Sequence, residues 1–184
     1  MVWKIDEAVK QIELGENNHS PRWAFAYKFP PITGVCTVLD VVFQVGRTGE
    51  VVPVAKITAT PLMGVVVTSV SLHNEERMLE RAIAIGNSYQ VWRSGDVIPH
   101  MGQVVETVPD ARMVSYPEHC PSCGTKLVKR GATYYCENHA RCPDQTKALI
   151  AYAVSRDVLN IDGIAEQTVE LMLKAGLIKR TALL

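Results

Sequence analysis

Between Val35 and Val108 the chain alternates apolar and polar residues in the short runs VCTVLDVVFQV, VVPVAKI, VVVTSVSL, YQVWR and QVVETV, separated by GRTG, PLMG, IGNS and RSGD. A repeat of two places successive side chains on opposite faces of a strand, so these runs predict five strands of a half-buried sheet. In the first, Leu39, Val41, Phe43 and Val45 fall on the buried face and Asp40 and Gln44 on the other. One charged, helix-prone segment, HNEERMLERA, separates the third strand from the fourth.

The pattern differs on either side. At the start, Val2, Ile5, Val9 and Ile12 follow a helix-compatible spacing that the turn-rich GENNHSP ends. RWAFAYKF then predicts a strand, with Trp23, Phe25 and Tyr27 on one side and Arg22, Ala24, Ala26 and Lys28 on the other, stopped by Pro30 and Pro31. Toward the end, Asp144 stands where a helix cap is needed before QTKALIAYAVSR, and a second helical run follows the turn LNIDGI. The chain is therefore read as mainly β with a small α part. A five-stranded OB barrel over 32–111 follows a short piece over 1–31, and precedes a cysteine-rich segment over 112–143 and a helix-hairpin-helix unit over 144–184.

Composition narrows the classes. The 184 residues are 47% hydrophobic, yet no apolar run approaches the roughly 20 residues of a membrane span. The opening MVWKIDEAVKQIE carries acids where a signal peptide would carry apolar residues, so the expected location is cytoplasmic. With 19 basic and 19 acidic residues the formal charge is zero, which excludes a binder that works by bulk positive charge. Between Cys120 and Arg156, however, Lys126, Lys129, Arg130, Arg141, Lys147 and Arg156 face only Glu137 and Asp144, so a polyanion would meet this part first.

Of five cysteines, Cys36 stands alone in an apolar run and reads as a small buried hydrophobe. Cys120 and Cys123 form CPSCG, a knuckle whose two intervening residues let both thiolates point at one ion. Twelve residues separate Cys123 from Cys136, and five separate Cys136 from Cys142. Four such residues in one short segment suit a structural tetrahedral zinc site better than a disulfide framework. Spacing leaves the fourth ligand open between Cys142 and His139, because Cys136 and His139 repeat the gap of the first knuckle. His119 is read as a surface residue or a neighbour of the ligands.

The blocks SPRWAFAYKFP, FQVGRTGEVVPVA, SLHNEE, RSGDVIP, HCPSCG with its two further cysteines, and LNIDGI resemble, in order and spacing, consecutive blocks of bacterial NAD-dependent DNA ligases. The resemblance implies that 1–31 is the end of an adenylation domain, that 112–143 is a four-cysteine zinc finger completed by Cys142, and that 144–184 begins a helix-hairpin-helix domain. It implies cofactor-binding roles for Lys4 in MVWK and Lys28 in YKFP at the nucleotide phosphates, where fixed ammonium groups offset charge that builds on phosphoryl oxygens. It also implies that Arg47 in VGRTG and Arg93 in WRSGD contact DNA around a nick, as turn arginines able to fork onto phosphates. Gly163 in IDGI would free amides at a helix start for a DNA phosphate, although family hairpins carry a second glycine where Ala165 stands. His73 and Asn74 match a family block; His73 is read as a cap or core hydrogen-bonder without assigned chemistry.

The family nucleophile is a lysine in Lys-x-Asp-Gly, which forms the phosphoramide with AMP. Lys4, Ile5 and Asp6 imitate its first three letters, but Glu7 replaces the glycine. The rest of the adenylation domain, the nicotinamide-recognition domain, further hairpins and a BRCT domain also have no counterpart in these residues. No catalytic residue is therefore assigned, and the chain alone is expected to bind nicked duplex DNA without sealing it. In the complete enzyme, NAD adenylates the lysine, AMP passes to a 5′ phosphate, and a 3′ hydroxyl displaces it with magnesium assisting. The expected partners are nicked DNA and a separate amino-terminal adenylation domain, with the chain a monomer. The alternative is a free-standing, non-catalytic nucleic-acid binder that reuses OB and zinc modules.

Overall fold

The computed structural model describes residues 1–17, 20–27, 31–94, 98–139 and 141–178. In chain order the elements are β1 (Val2–Lys4), α1 (Ala8–Leu14), β2 (Ala24–Ala26), β3 (Thr33–Val45), β4 (Glu50–Leu62), β5 (Val65–Ser71), α2 (Glu75–Glu80), β6 (Ala84–Ile85), β7 (Ser88–Ser94), β8 (Ile98–Glu106), β9 (Arg112–Met113), β10 (Val128–Arg130), β11 (Thr133–Tyr135), α3 (Pro143–Val154) and α4 (Glu166–Lys174). No helix among the described residues is long and apolar enough to cross a membrane.

The five predicted strands are β3, β4, β5, β7 and β8, with α2 between the third and the fourth. β3 pairs antiparallel with β4 on one side and β7 on the other, β4 with β5, and β7 with β8. β5 and β8 approach one another across the remaining gap, giving the barrel its OB order. The β4–β5 turn is Met63–Gly64, both at positive φ, the two-residue geometry whose twist matches that of the strands it joins. Cys36, Val38, Ile57, Leu72, Tyr89 and Met101 lie at the centre of the core. Asn74 caps α2, its side chain accepting from the Arg77 amide at 3.0 Å, and the cap aims Met78 into the core.

β3 departs from the predicted alternation. Its register with β4 shifts between Val38 and Asp40, which leaves Leu39 as an extra residue without a partner. Before this bulge the even positions Cys36 and Val38 face the core; after it Val41, Phe43 and Val45 do. Leu39, assigned to the buried face from the pattern, is 56% exposed. A bulge inserts one residue and so reverses the inside and outside sets of all that follow.

The first 27 residues also differ from expectation. Val2 and Lys4 lie in a strand, not a helix, because β1 pairs with β2 in the register Val2↔Ala26, Trp3↔Phe25 and Lys4↔Ala24. Only Ala8–Leu14 is helical, and Ile12 is 81% exposed. A two-stranded ribbon and a seven-residue helix offer too little area to bury their own apolar sides, so Trp3, Val9 and Phe25 are exposed too. At the other end, α3 begins two residues earlier than the pattern suggested. Cys142 is its cap residue, Pro143 takes the first helical position, and Asp144 sits inside the first turn.

Candidate metal centre and nucleic-acid face

The segment after the barrel folds around sulfur. The Cys120 amide donates to Thr125 O at 2.8 Å and the Gly124 amide to Cys120 O at 2.9 Å, closing the CPSCG knuckle, with Gly124 at φ 71°. The β10–β11 hairpin delivers Cys136, and the start of α3 delivers Cys142, whose amide donates to Asn138 O at 3.0 Å. Cys123 and Cys136 have their Sγ atoms 3.5 Å apart, Cys120 and Cys142 3.9 Å, and all four sulfurs lie within 4.8 Å of one another. Four thiolates about 2.3 Å from a central ion stand about 3.8 Å from each other at tetrahedral angles, so the donor set fits such an ion.

His139, the competing fourth donor, is turned elsewhere: its Nδ1 lies 2.8 Å from Gln145 Oε1. Gln145 is buried and in turn donates through Nε2 to Cys136 O at 2.9 Å. Without an ion, burial pushes the Cys136 thiol up to about 12 despite the Asn138 amide. At Cys123 burial also raises the thiol, but hydrogen bonds with Thr125 and the neighbouring sulfurs outweigh it and bring it to about 6. Cys36 lies apart in the barrel core, its thiol raised by burial to about 11.

This segment is joined to the barrel. β11 adds to β4 at Tyr134↔Val51 and Tyr135↔Glu50. The Cys136 amide donates to Gly49 O at 2.8 Å. Gly49 is at φ 84°, and a Cβ there would lie 2.3 Å from Cys136 O, so only glycine suits the approach. Val45, Val51 and Leu127 share a second core with Cys120, Cys136 and Cys142. Tyr116 stacks on Tyr134 at 4.5 Å, meets Phe43 edge-on at 4.9 Å, and donates its hydroxyl to Val51 O. Glu75, the first residue of α2, accepts from Lys129 Nζ at 2.7 Å and from the Tyr134 hydroxyl at 3.1 Å. The Lys129 hydrogen bond holds its carboxyl below the usual range against a smaller opposing effect of burial, aided by Tyr134 and the Lys129 charge.

The predicted DNA-contacting residues are spread over this frame. Arg47 lies exposed in the β3–β4 turn, which the Gly46 amide closes onto Glu50 O at 2.8 Å. Its guanidinium carbon sits 3.9 Å from the centre of the Tyr152 ring on α3. Arg93 is half-buried on β7, opposite Pro99, near the other end of β3, where Trp92 pairs with Thr33. Among the described residues no carboxylate pairs with either arginine. The thirteen residues of β3 put the two up to about 40 Å apart. Gly163, at φ 81°, lies in the turn before α4, beside a cleft of about 310 Å³ formed with Ser155, Asn160, Asp162 and Ala165.

Lys4 is exposed on β1. Lys28 lies outside the described residues. His73 is not the cap of α2, a role that falls to Asn74. His73 instead takes φ 65° and stacks on His100 at 5.9 Å, which stacks on Trp92 at 6.1 Å. Burial lowers the His73 imidazole first, and charge repulsion from nearby His100, Arg81 and Arg77 lowers it further. Gln145, Glu75 and Tyr152 were assigned no role from the sequence. Each acts on a residue from 9 to 105 positions away, through a contact that only the folded chain creates.

Comparison with known proteins adds identity to this geometry. Residues 35–113 match the model of the NAD-dependent DNA ligase OB-fold domain. The chain is 42% identical over 183 residues to a DNA ligase of Sulfurihydrogenibium azorense, covering 97% of this chain and 26% of that protein. It is 42% identical over 183 residues to the DNA ligase of Aquifex aeolicus and 42% over 194 residues to that of Pseudomonas putida F1, covering 97% of this chain and 25% of each relative. The chain thus spans about a quarter of the length of the curated relatives it matches. A ligase OB domain at its centre, with ligase-like sequence continuing through the thiol cluster and the helices beyond, makes this chain a member of the bacterial NAD-dependent DNA ligase family.

Proposed function

We propose that this chain is the DNA-gripping portion of an NAD-dependent ligase that seals nicks in duplex DNA during replication and repair. The observation that carries the reading is the junction at the β3–β4 turn. There a ligase OB barrel and the four-thiol cluster share a sheet and a core, and Arg47, with no carboxylate partner among the described residues, projects from the joint. In this reading Cys120, Cys123, Cys136 and Cys142 hold structural zinc. The ion would supply a closed four-ligand crosslink, with no open position for catalysis.

Arg47 and Arg93 then meet phosphates at separated points of a duplex, fixing its register rather than reading its sequence. The α3–α4 pair serves as a helix-hairpin-helix unit. Gly163 presents backbone amides to a further phosphate, although Ala165 and Glu166 at the start of α4 make this the weakest of the three contacts. Lys4 and Lys28 belong to the nucleotide side, where their charge offsets that developing on the phosphoryl oxygens of NAD and adenylated DNA. The 184 residues contain no Lys-x-Asp-Gly motif, so alone they form no covalent adenylate and seal no nick. Magnesium and NAD act in the complete enzyme, a cytoplasmic monomer in this reading.

Metal analysis and duplex binding test the proposal together. One zinc per chain is expected, with nicked duplex bound more tightly than unrelated polyanions at moderate salt. Incubation with NAD and magnesium should leave the chain unadenylated, and sealing should require a separately supplied adenylation domain. A metal-free folded chain, or equal affinity for nicked duplex and heparin, would overturn the reading.

A further inference from the structure

We infer that Tyr152 is a positioning residue for Arg47: its ring holds the guanidinium of the β3–β4 turn ready for a DNA phosphate. The inference rests on the DNA-binding reading above and assigns a role within that same site. The guanidinium carbon lies 3.9 Å from the ring centre, the distance of direct stacking. A guanidinium carries its N–H donors in its own plane, so stacking occupies its face and leaves the donors free. An arginine paired with a carboxylate would have those donors occupied; Arg47 has no such partner among the described residues.

Both members of the pair are fixed from one source. Tyr152 lies on α3, ten residues beyond Cys142, or about 15 Å along a helix. The start of α3 is pinned three times: Cys142 belongs to the thiol cluster, the Asp144 amide donates to Ser122 Oγ at 3.1 Å, and Gln145 donates to Cys136 O at 2.9 Å. The turn that bears Arg47 is pinned by Gly49, whose carbonyl accepts from the Cys136 amide at 2.8 Å. The thiol cluster thus sets both sides of the stack, and Arg47 enters binding with its long side chain already placed.

The test uses the zinc-loaded 184-residue chain and a nicked duplex, with affinity measured across a salt series. Arg47→Ala should weaken binding about tenfold and make the plot of log affinity against log salt shallower by about 0.9, the loss of one phosphate contact. Tyr152→Ala and Tyr152→Leu should reproduce most of both changes with zinc content and melting temperature retained, and Tyr152→Phe should restore them. The double variant Arg47→Ala with Tyr152→Ala should bind no worse than Arg47→Ala alone. Unchanged affinity and slope in Tyr152→Leu while Arg47→Ala is impaired, or additive losses in the double variant, would overturn the inference but leave the DNA reading intact. Failure of the unaltered chain to bind nicked duplex would overturn the DNA reading, and this inference with it.

Discussion

Gly49 is the residue on which the joint turns. Its positive φ and the 2.3 Å approach of a Cβ to Cys136 O act together, because the clashing atom is backbone and cannot rotate away. Gly49→Ala is expected to destabilise the chain by about 3 kcal/mol and to lower zinc retention, measured by denaturant unfolding alongside metal release. Gly64→Ala, at φ 78° but with open space around the added carbon, should cost less. Glu75 makes a prediction in pH. Its folded carboxyl is held below its unfolded value, chiefly by the Lys129 hydrogen bond. The stabilisation is therefore fully present above the ordinary glutamate range and is lost as pH falls through the depressed folded value. Melting temperatures measured downward from pH 7 should fall more in the unaltered chain than in Glu75→Gln, the two curves converging in acid. Parallel curves would show that the pair contributes nothing.

At the scale of elements, the thiol cluster and the barrel have different supports. The barrel core draws on Val38, Leu72, Tyr89 and Met101, with Tyr89 donating to Ala82 O and accepting from the Ala84 amide, both at 2.8 Å. The second core buries only three cysteines with Val45, Val51 and Leu127, and much of its remaining contact is with partly buried aromatics, too little apolar area to fold a segment by itself. Removing the proposed zinc with a chelator should therefore release β10, β11 and the start of α3 while the barrel strands persist. Amide exchange read residue by residue checks this: protection at Cys136 and Cys142 should vanish while that at Val38 and Val91 stays. Equal loss throughout would mean that the two cores unfold as one.

For the whole molecule, a formal charge of zero directs attention from total charge to placement. The two phosphate contacts proposed for Arg47 and Arg93 predict a loss of about tenfold in duplex affinity when salt rises fourfold. A flat salt response would remove both arginines from the interface. Lys147 is not available to add to this grip, since its ammonium bridges Glu166 at 3.2 Å and Glu170 at 3.7 Å and ties α3 to α4. Lys129 is likewise engaged by Glu75 and Arg130 by Glu137, so the basic stretch after Cys120 is less free than its spelling suggests.

Much of this was legible in the chain itself, for a physical reason. Alternation along a strand, turn residues, a knuckle of two cysteines and a capped helix are local properties, and neighbours in sequence suffice to express them. They determined the five barrel strands, the helix between the third and fourth, the burial of Cys36 and the cysteines of the cluster. The bulge at Leu39 lay beyond this reach, because an extra residue is defined only against the partner strand that lacks it. So did the strand at Val2–Lys4, where pairing with Ala24–Ala26 overrode a helical spacing, and the choice between Cys142 and His139, which spacing alone left open. Tertiary structure decided that four sulfurs converge while His139 turns to Gln145, that Gly49 admits Cys136, and that Tyr152 stands beneath Arg47. Each depends on groups far apart in sequence meeting at a few ångströms, and such distances arise only when the barrel closes and the thiol-rich segment docks on it.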